Sequence, residues 1–305
     1  MRLPAEIRLS LLTGAAAVLA GAAACVQIDG ADLSRYVERE EKQFAVTGKP
    51  DVSLSTFDGA IEIRPWDRSE VQVVVEKRAW DKESAATIKV EALQDNNRIV
   101  VDVKIPRGDD WGIHFDRRSA KLIVSMPAAS NVVAKSGDGS IDIEGISGKV
   151  ELRSGDGSIR GRRLDGDVLA HSGDGSIRLT DVKGALSVDT GDGSITAEGT
   201  FTAVRARSGD GSVRIAAESG SASTGDWDIS TGDGSVTLAL PDGFGAEIDA
   251  HTGDGRVHVQ DLTVENVTGE IGKRTLRGRL GAGGGTVRVR TGDGSITLKR
   301  SLGTT

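Results

Sequence analysis

The chain has 305 residues, a formal net charge of -7, one cysteine, 41 glycines and only 3% aromatic residues. One cysteine excludes an internal disulfide and a cysteine-rich zinc site, and an acidic chain without a basic block argues against nucleic-acid binding. The balance of charged (27%) and hydrophobic (37%) residues also excludes a disordered tail and a polytopic membrane protein.

The first 24 residues have the pattern of an export signal. Arg2 and Arg8 precede an apolar stretch, Leu9 to Ala24, which is short for a membrane span and ends in three alanines. Cys25 follows directly, at the position where bacterial lipoproteins are cleaved and acylated. Ala22 stands where such signals usually carry leucine, so ordinary cleavage beside a chance cysteine is the alternative. We expect an exported lipoprotein of the cell envelope, held on a membrane by lipid on Cys25 and facing the periplasm or the surface.

The segment between this signal and the repeats is expected to be irregular. Residues 25–47 are charged, which is typical of a solvated tether. Residues 48–135 are expected to form irregular β coils, and residues 56–61 resemble a degraded copy of the later repeat. The alternation of apolar residues predicts strands at Asp51–Thr56, Ala60–Arg64, Glu70–Arg78, Ala86–Leu93, Arg98–Ile105 and Lys121–Met126.

A short motif, Ser-Gly-Asp-Gly-Ser-Ile, governs the second half of the chain. It begins at Ser136 and returns, with small changes, at Ser154, Ser172, Thr190, Ser208, Thr231, Thr252 and Thr291. The first four intervals are 18 residues each, and the last is 39, which suggests two coils with a worn copy of the motif at residues 268–271. A fixed period of this kind predicts a solenoid.

Each 18-residue unit divides into two strands. Ile141 and Ile143 alternate with polar residues, and Val150 and Leu152 repeat the pattern nine residues later. Gly-Asp-Gly supplies one corner, because glycine reaches positive φ freely, and Ser147-Gly148 begins the other. We predict an all-β fold: a β-solenoid, a single parallel β-helix-like stack of about 18-residue coils over residues 136–300, with a less regular N-terminal β region and a tail at 301–305.

The residues from Leu122 to Ile141 carry a resemblance to a known family. The string Leu-Ile-Val-Ser-Met-Pro-Ala-Ala-Ser-Asn-Val-Val-Ala-Lys-Ser runs into the first Gly-Asp-Gly-Ser-Ile motif. It resembles a bacterial family of putative adhesins with β-strand repeats and a domain of unknown function. The resemblance covers about residues 45–300 and implies a right-handed-type β-solenoid on an exported envelope protein. It brings no catalytic residues.

The aspartate of the motif recurs at one position of every coil. Stacked carboxylates about 5 Å apart repel each other, and bound Ca²⁺ is one way to relieve the repulsion. The interpretation that we favour is that each aspartate caps its own turn by accepting a backbone hydrogen bond, so we expect no metal and no cofactor. The column, which is a calcium array in the alternative, consists of Asp138, Asp156, Asp174, Asp192, Asp210, Asp233, Asp254 and Asp293.

Two strips rich in basic residues flank the aspartates along the chain and are expected to neutralise them without metal. The strip three residues before the aspartates holds Lys135, Arg153, His171, Asp189, Arg207, Ser230, His251 and Arg290. The strip four residues after them holds Asp142, Arg160, Arg178, Thr196, Arg214, Thr237, His258 and Thr297.

Two other features are candidates for interaction. The tripeptide Arg107-Gly108-Asp109 is of the adhesion type, on a loop that also holds Trp111, although a turn with a packed aromatic explains the same residues. Trp227 lies two residues before Ile229 and therefore faces the same, inward side of the strand, which predicts a core position. The alternative is an outward-facing ring on which a sugar stacks. His171 and His251 are several coils apart and are expected to lie on the surface.

The functional prediction is a non-enzymatic, adhesin-like interaction or structural module of the cell envelope. The sequence lacks the nucleophile-elbow, zincin and phosphate-loop motifs. The alternative is a carbohydrate-active parallel β-helix enzyme that uses acidic residues of the irregular coils 208–290. The expected partners are an envelope component, a glycan or a protein. The C-terminal coil is expected to leave an open edge, where Lys299 and Arg300 either keep the protein monomeric or allow end-to-end association.

Overall fold

The computed structural model describes residues 23–24, 36–106, 118–269 and 273–301. The regular secondary structure of this part of the chain is β-strand, with one short helix, α1 (Lys82–Thr87). The predicted all-β class is therefore confirmed. The strands are β1 (Ala23–Ala24), β2 (Tyr36–Ala45), β3 (Asp51–Thr56), β4 (Ile61–Trp66), β5 (Glu70–Ala79), β6 (Lys89–Asp95), β7 (Arg98–Lys104), β8 (Ser119–Pro127), β9 (Asn131–Ser136), β10 (Ile141–Glu144), β11 (Val150–Ser154), β12 (Ile159–Asp165), β13 (Val168–Ser172), β14 (Ile177–Thr190), β15 (Ile195–Ser208), β16 (Val213–Ala217), β17 (Trp227–Thr231), β18 (Val236–Leu240), β19 (Ala246–Thr252), β20 (Val257–Gln260), β21 (Val264–Gly269), β22 (Thr275–Leu280), β23 (Thr286–Thr291) and β24 (Ile296–Arg300).

Coils of the repeat region stack in parallel with a register that repeats the sequence period. Ile141 pairs with Ile159 and then Ile159 with Ile177, each 18 residues further along the chain. The strands before the Gly-Asp-Gly corner pair in the same way, as Val150 does with Val168. Because the register equals the period, the positions of the repeat form straight rows across the stack, apart from a local register shift between β14 and β15 at residues 182–184.

The predicted inward positions form one continuous core. Ile141, Ile143, Val150 and Leu152 are each at most 1% exposed, as alternation in a half-buried strand requires. Trp227 is fully buried, and its ring makes edge contacts with the rings of Phe201 and Phe244 at centroid distances of 6.3 and 5.1 Å. The inward position predicted for Trp227 is confirmed, so it offers no platform to a sugar.

The glycines of the Gly-Asp-Gly corner are needed for a reason other than the predicted one. Gly139 and Gly157 do not have positive φ, whereas Gly148, Gly166 and Gly184 at the second corner do. A Cβ added to Gly157 would overlap the carbonyl of Gly139 in the adjacent coil. The first corner therefore requires glycine because stacked backbones approach closely there, and only the second corner uses left-handed conformation.

The N-terminal end differs from the prediction in two segments. Residues 36–45 of the expected tether form β2, which pairs antiparallel with β5 over its whole length. The strand predicted at 86–93 begins later, because α1 occupies residues 82–87, and Asp81 caps that helix with its side chain. Charged residues are tolerated in β2 because Lys77 of β5 forms ion pairs with Glu38 and Glu40 of β2.

The order of coils in space differs from their order in the chain at both ends. β3 lies between β7 and β9, and β4 lies between β8 and β10. The first coil of the chain, β3 and β4, is therefore stacked between two coils that follow it in the sequence. At the other end β23 lies between β17 and β19, and β24 lies between β18 and β20. The last coil is thus inserted into the stack and is not its terminus.

The observed strand pairing differs from three of the sequence predictions. The stack is not a single parallel one, because β2, β5, β6, β21 and β22 make antiparallel pairs. Residues 264–269 form a hairpin strand with β22 and not a degenerate coil. The predicted open edge at Lys299 and Arg300 is wrong, because Lys299 pairs with Ala239 on one side and with Gln260 on the other.

Candidate functional site

The Gly-Asp-Gly corner is held by a column of buried hydroxyl groups. The serine or threonine that precedes each corner is at most 8% exposed. Each hydroxyl donates a hydrogen bond of 2.7–3.0 Å to a carbonyl of the adjacent coil, which is that of the second corner glycine in every case except Thr56. The column consists of Thr56, Ser136, Ser154, Ser172, Thr190, Ser208, Thr231, Thr291 and Thr252, in the order of the stack.

The same hydroxyl also closes its own turn in most coils. Ser172 Oγ donates to the Gly157 carbonyl and accepts from the Gly175 N–H, both at 3.0 Å. Within the described turns no aspartate of the column accepts a hydrogen bond from its own backbone, so the predicted aspartate cap is wrong. The signal for the hydroxyl was present in the sequence, because a Ser or Thr occupies an inward position at every corner.

The aspartates form an exposed column at the same corner. The register places them in the order Asp58, Asp138, Asp156, Asp174, Asp192, Asp210, Asp233, Asp293 and Asp254. Burial raises the pKa of Asp58 above its usual value, and the charge of the neighbouring Asp138 raises this pKa further. The other eight side chains are solvent-exposed, which lets water and salt screen their repulsion.

The flanking strips do not neutralise the column through ion pairs. Within the described residues the column makes one ion pair, between Asp254 and Arg274 at 3.0 Å, and Arg274 belongs to neither strip. A search of the described residues finds no group of three or more His, Cys, Asp or Glu side chains that could hold a metal ion. The geometry at the corner therefore consists of a buried hydroxyl column beneath a solvated acidic one.

The strip before the corner is part of a face crossed by ion pairs, which we call the leading face. Its pairs are Arg153 with Glu151 (2.8 Å), His171 with Asp189 (3.1 Å), Arg207 with Asp228 (2.7 Å) and Arg290 with Asp249 (2.6 Å). Burial acts to raise the pKa of Asp249, but hydrogen bonds from Arg290 and Arg277 outweigh burial and hold this pKa below its usual value. His171 and His251 both lie on this face and are exposed, as predicted.

The strip after the corner contains arginines without partners. Arg160, Arg178 and Arg214 are exposed, and among the described residues none of them makes a hydrogen bond or an ion pair. Thr196 lies between Arg178 and Arg214. We call these four residues the arginine row. The sequence predicted that these arginines neutralise the aspartates. It could not show that they lack partners, because pairing depends on which strands become neighbours.

An open groove of about 380 Å³ lies toward the N-terminal end of the leading face. Asp51, Asn131 and Lys149 line it, together with Arg98 and Glu151. Asn131 Nδ2 donates to Asp51 Oδ1 at 2.7 Å, and Asn131 Oδ1 accepts from the Lys149 N–H at 3.0 Å. These bonds tie neighbouring strands together at the groove, while the side chains of Arg98 and Lys149 make no hydrogen bond or ion pair among the described residues.

Two of the predicted candidates lie outside the described residues. They are Cys25 and the loop that contains Arg107, Gly108, Asp109 and Trp111. The described residues contain no helix with the length and apolar character needed to cross a membrane.

Comparison with known proteins identifies the family. The model of the family described as Toastrack DUF4097 matches residues 50–299, and the chain therefore belongs to that family. This confirms the resemblance to bacterial putative adhesins with a domain of unknown function. No curated protein matches the chain.

Similar solved structures come from several bacteria. One is a putative adhesin from Bacteroides fragilis (10% identity, 85% of this chain and 96% of that chain, TM-score 0.40). Another is a putative lipid binding protein from Parabacteroides distasonis (12% identity, 87% and 95%, TM-score 0.38). A third is a putative cell adhesion protein from Clostridium sporogenes (12% identity, 86% and 99%, TM-score 0.28).

Proposed function

We propose that this member of the Toastrack DUF4097 family is a non-catalytic interaction module of the bacterial cell envelope, exported and held on a membrane by lipid on Cys25. One observation carries the proposal. The 18-residue register aligns equivalent outward residues in straight rows, as it does for Arg160 and Arg178. A rigid surface that repeats one contact at fixed spacing suits a ligand that is itself repetitive or extended.

Binding to envelope material tests this function. The mature chain is incubated with envelope fractions and with a glycan array, and retention is measured against a variant with Ile177→Asp. Ile177 is 1% exposed in the core, so the variant should lose the stacked coils and serves as an unfolded control. Retention of the wild type alone supports the proposal, and equal retention of both chains contradicts it.

The enzyme alternative has one observation in its favour. Burial raises the pKa of Glu218, and the charges of Glu198 and Asp181 raise it further, which is the setting of a general acid beside a second carboxylate. We expect no release of reducing sugar from any glycan that binds. Hydrolysis that is lost in Glu218→Gln would replace the proposed function by this alternative.

A further inference from the structure

The arginine row places like charges side by side. Arg160 on β12 pairs in register with Arg178 on β14, and Thr196 and Arg214 follow on β15 and β16. Like charges directly opposite on neighbouring strands destabilise a sheet. The row therefore lowers the stability of the sheet, and the fold does not require arginine at these positions, since exposed positions accept most polar residues.

Among the described residues no acid forms an ion pair with this row, although the exposed Glu198 lies two residues after Thr196. Asp142 is the other register neighbour of Arg160, but its Oδ1 accepts a hydrogen bond from Arg64 at 2.9 Å. Arg214 has the neutral Thr237 on its far side. On the leading face, by contrast, Arg207 and Arg290 each bind a carboxylate within 2.7 Å. An acidic chain thus keeps one row of guanidinium groups open to solvent.

Hydroxyl groups line the same part of the face. Ser176, Ser194 and Ser212 each lie two residues before a member of the row, have the same outward parity and are exposed. Their side chains make no hydrogen bond within the described residues. A guanidinium group binds a carboxylate or sulfate through two parallel hydrogen bonds, and a serine hydroxyl can both donate to and accept from a sugar hydroxyl.

We infer that the arginine row binds a linear anionic polysaccharide that runs across the strands, along the axis of the stack. This inference rests on the proposed function and names its ligand class. Neighbouring strands are about 4.8 Å apart, which is close to the length of one sugar unit in an extended chain, so the row spans about 14 Å. A chain with acidic groups on successive sugars can meet the arginines in turn.

Two other polyanions fit the row less well. A lipid surface is a broad negative plane, and it would also face the aspartate column, including Asp174, four residues from Arg178 in the chain. Single-stranded nucleic acid is held by aromatic side chains on which bases stack, and the row contains arginine and threonine with serine beside it. A narrow chain of sugars can follow the row without covering the aspartates.

The test compares polygalacturonate with its fully methyl-esterified form, which keeps the sugar backbone and removes the charge. Dextran sulfate is measured alongside, so that binding of carboxylate groups can be distinguished from binding of sulfate groups. The variant is Arg160→Gln/Arg178→Gln/Arg214→Gln, and the matched control is Arg153→Gln/Arg205→Gln/Arg288→Gln on the leading face. Both variants remove three exposed arginines, so they change the net charge equally. Circular dichroism checks that both are folded.

We expect the wild type to bind polygalacturonate or dextran sulfate but not the ester, with weaker binding at high salt. The row variant should lose at least tenfold in affinity, and the control should stay within twofold. Equal losses in both variants, or binding of the ester, would overturn the inference. Stronger binding to vesicles of anionic phospholipid, abolished in the row variant, would assign the row to lipid and overturn it as well.

The same variants separate the inference from the proposed function. If the row variant still binds envelope fractions as the wild type does, the arginine row is not the binding site, and the proposed function stands. If the wild type binds neither envelope material nor any glycan, both fail together.

Discussion

The hydroxyl of Ser172 should contribute more to stability than any exposed polar side chain of its coil. Ser172 is fully buried, and its Oγ donates to the Gly157 carbonyl and accepts from the Gly175 N–H. Ser172→Ala leaves these two groups without this partner, the Gly175 N–H in a buried position and the Gly157 carbonyl in a partly buried one. A buried group that loses its hydrogen bond costs about 1–3 kcal/mol. Because one hydroxyl serves both groups, we expect a loss of about 2–4 kcal/mol.

Two variants of the same coil make the test specific. Ser176→Ala removes a hydroxyl that is exposed and has no hydrogen bond among the described residues, so its effect should stay within about 0.5 kcal/mol. Ser172→Thr keeps the hydroxyl and adds a methyl group that the stack accepts at Thr190 and Thr231. It should therefore remain close to the wild type.

Urea unfolding followed by circular dichroism measures the three variants against the wild type. We expect the free energy of unfolding of Ser172→Ala to be far below that of Ser172→Thr and of Ser176→Ala. If Ser172→Ala is as mild as Ser176→Ala, the hydroxyl column does not hold the corner. If Ser172→Thr is as damaging as Ser172→Ala, the loss comes from packing and not from hydrogen bonding.

Four further predictions concern the core, the acidic column and the N-terminus. Ile177→Asp should abolish the folded state, whereas Arg178→Gln should leave the melting temperature unchanged or raise it; equal loss would show that the strand parity is wrong. Millimolar calcium or a chelator should leave the melting temperature unchanged. A calcium site in the aspartate column, filled at a hundredfold excess over Kd, would instead stabilise the fold by about 2.7 kcal/mol and raise the melting temperature. Asp58→Asn should raise the free energy of unfolding at neutral pH, because the raised pKa of Asp58 in the folded chain means that folding disfavours its charged form. This gain should vanish below the usual pKa of aspartate, and a gain that persists there would point to another cause. Mass spectrometry of the mature N-terminus should find lipid on Cys25, and an unmodified cysteine or cleavage elsewhere would end the lipoprotein hypothesis.

The repeat region could be predicted from the sequence because its information is local. Alternation at Ile141 and Ile143 determines which side chains face inward, and the 18-residue period determines the register. Neither needs knowledge of distant residues. The sequence predicted the wrong hydrogen-bond acceptor for the turn, because Asp and Ser side chains both accept backbone hydrogen bonds. The structure shows that the buried Ser172 is the acceptor and that Asp174 is exposed to solvent.

The ends could not be predicted because they depend on distant pairing. The charges of Glu38 and Glu40 indicated a solvated tether, yet Lys77 meets both across the β2–β5 pair. Burial acts to raise the pKa of Glu40, but hydrogen bonds from Lys42 and Lys77 outweigh it and lower this pKa, so the carboxylate remains charged within the sheet. Nothing in the 39-residue interval before Thr291 indicates that this coil inserts between two earlier ones.

The way in which the ends are built bears on where a ligand can bind. Antiparallel strands lie at both ends, β1, β2 and β6 at one and β21 at the other, so a strand added to them would not continue the rows of the repeat. β20, which pairs only with β24 among the described strands, is a parallel edge. The coils with uninterrupted 18-residue spacing lie between the two ends, and Arg160, Arg178 and Thr196 occur in these coils. Regular spacing is not required for folding, because the coil that contains Trp227 is five residues longer and still stacks in register. A ligand that contacts several coils at once needs this common register, which the parallel face provides over many strands, and this favours binding along the face over binding at the ends.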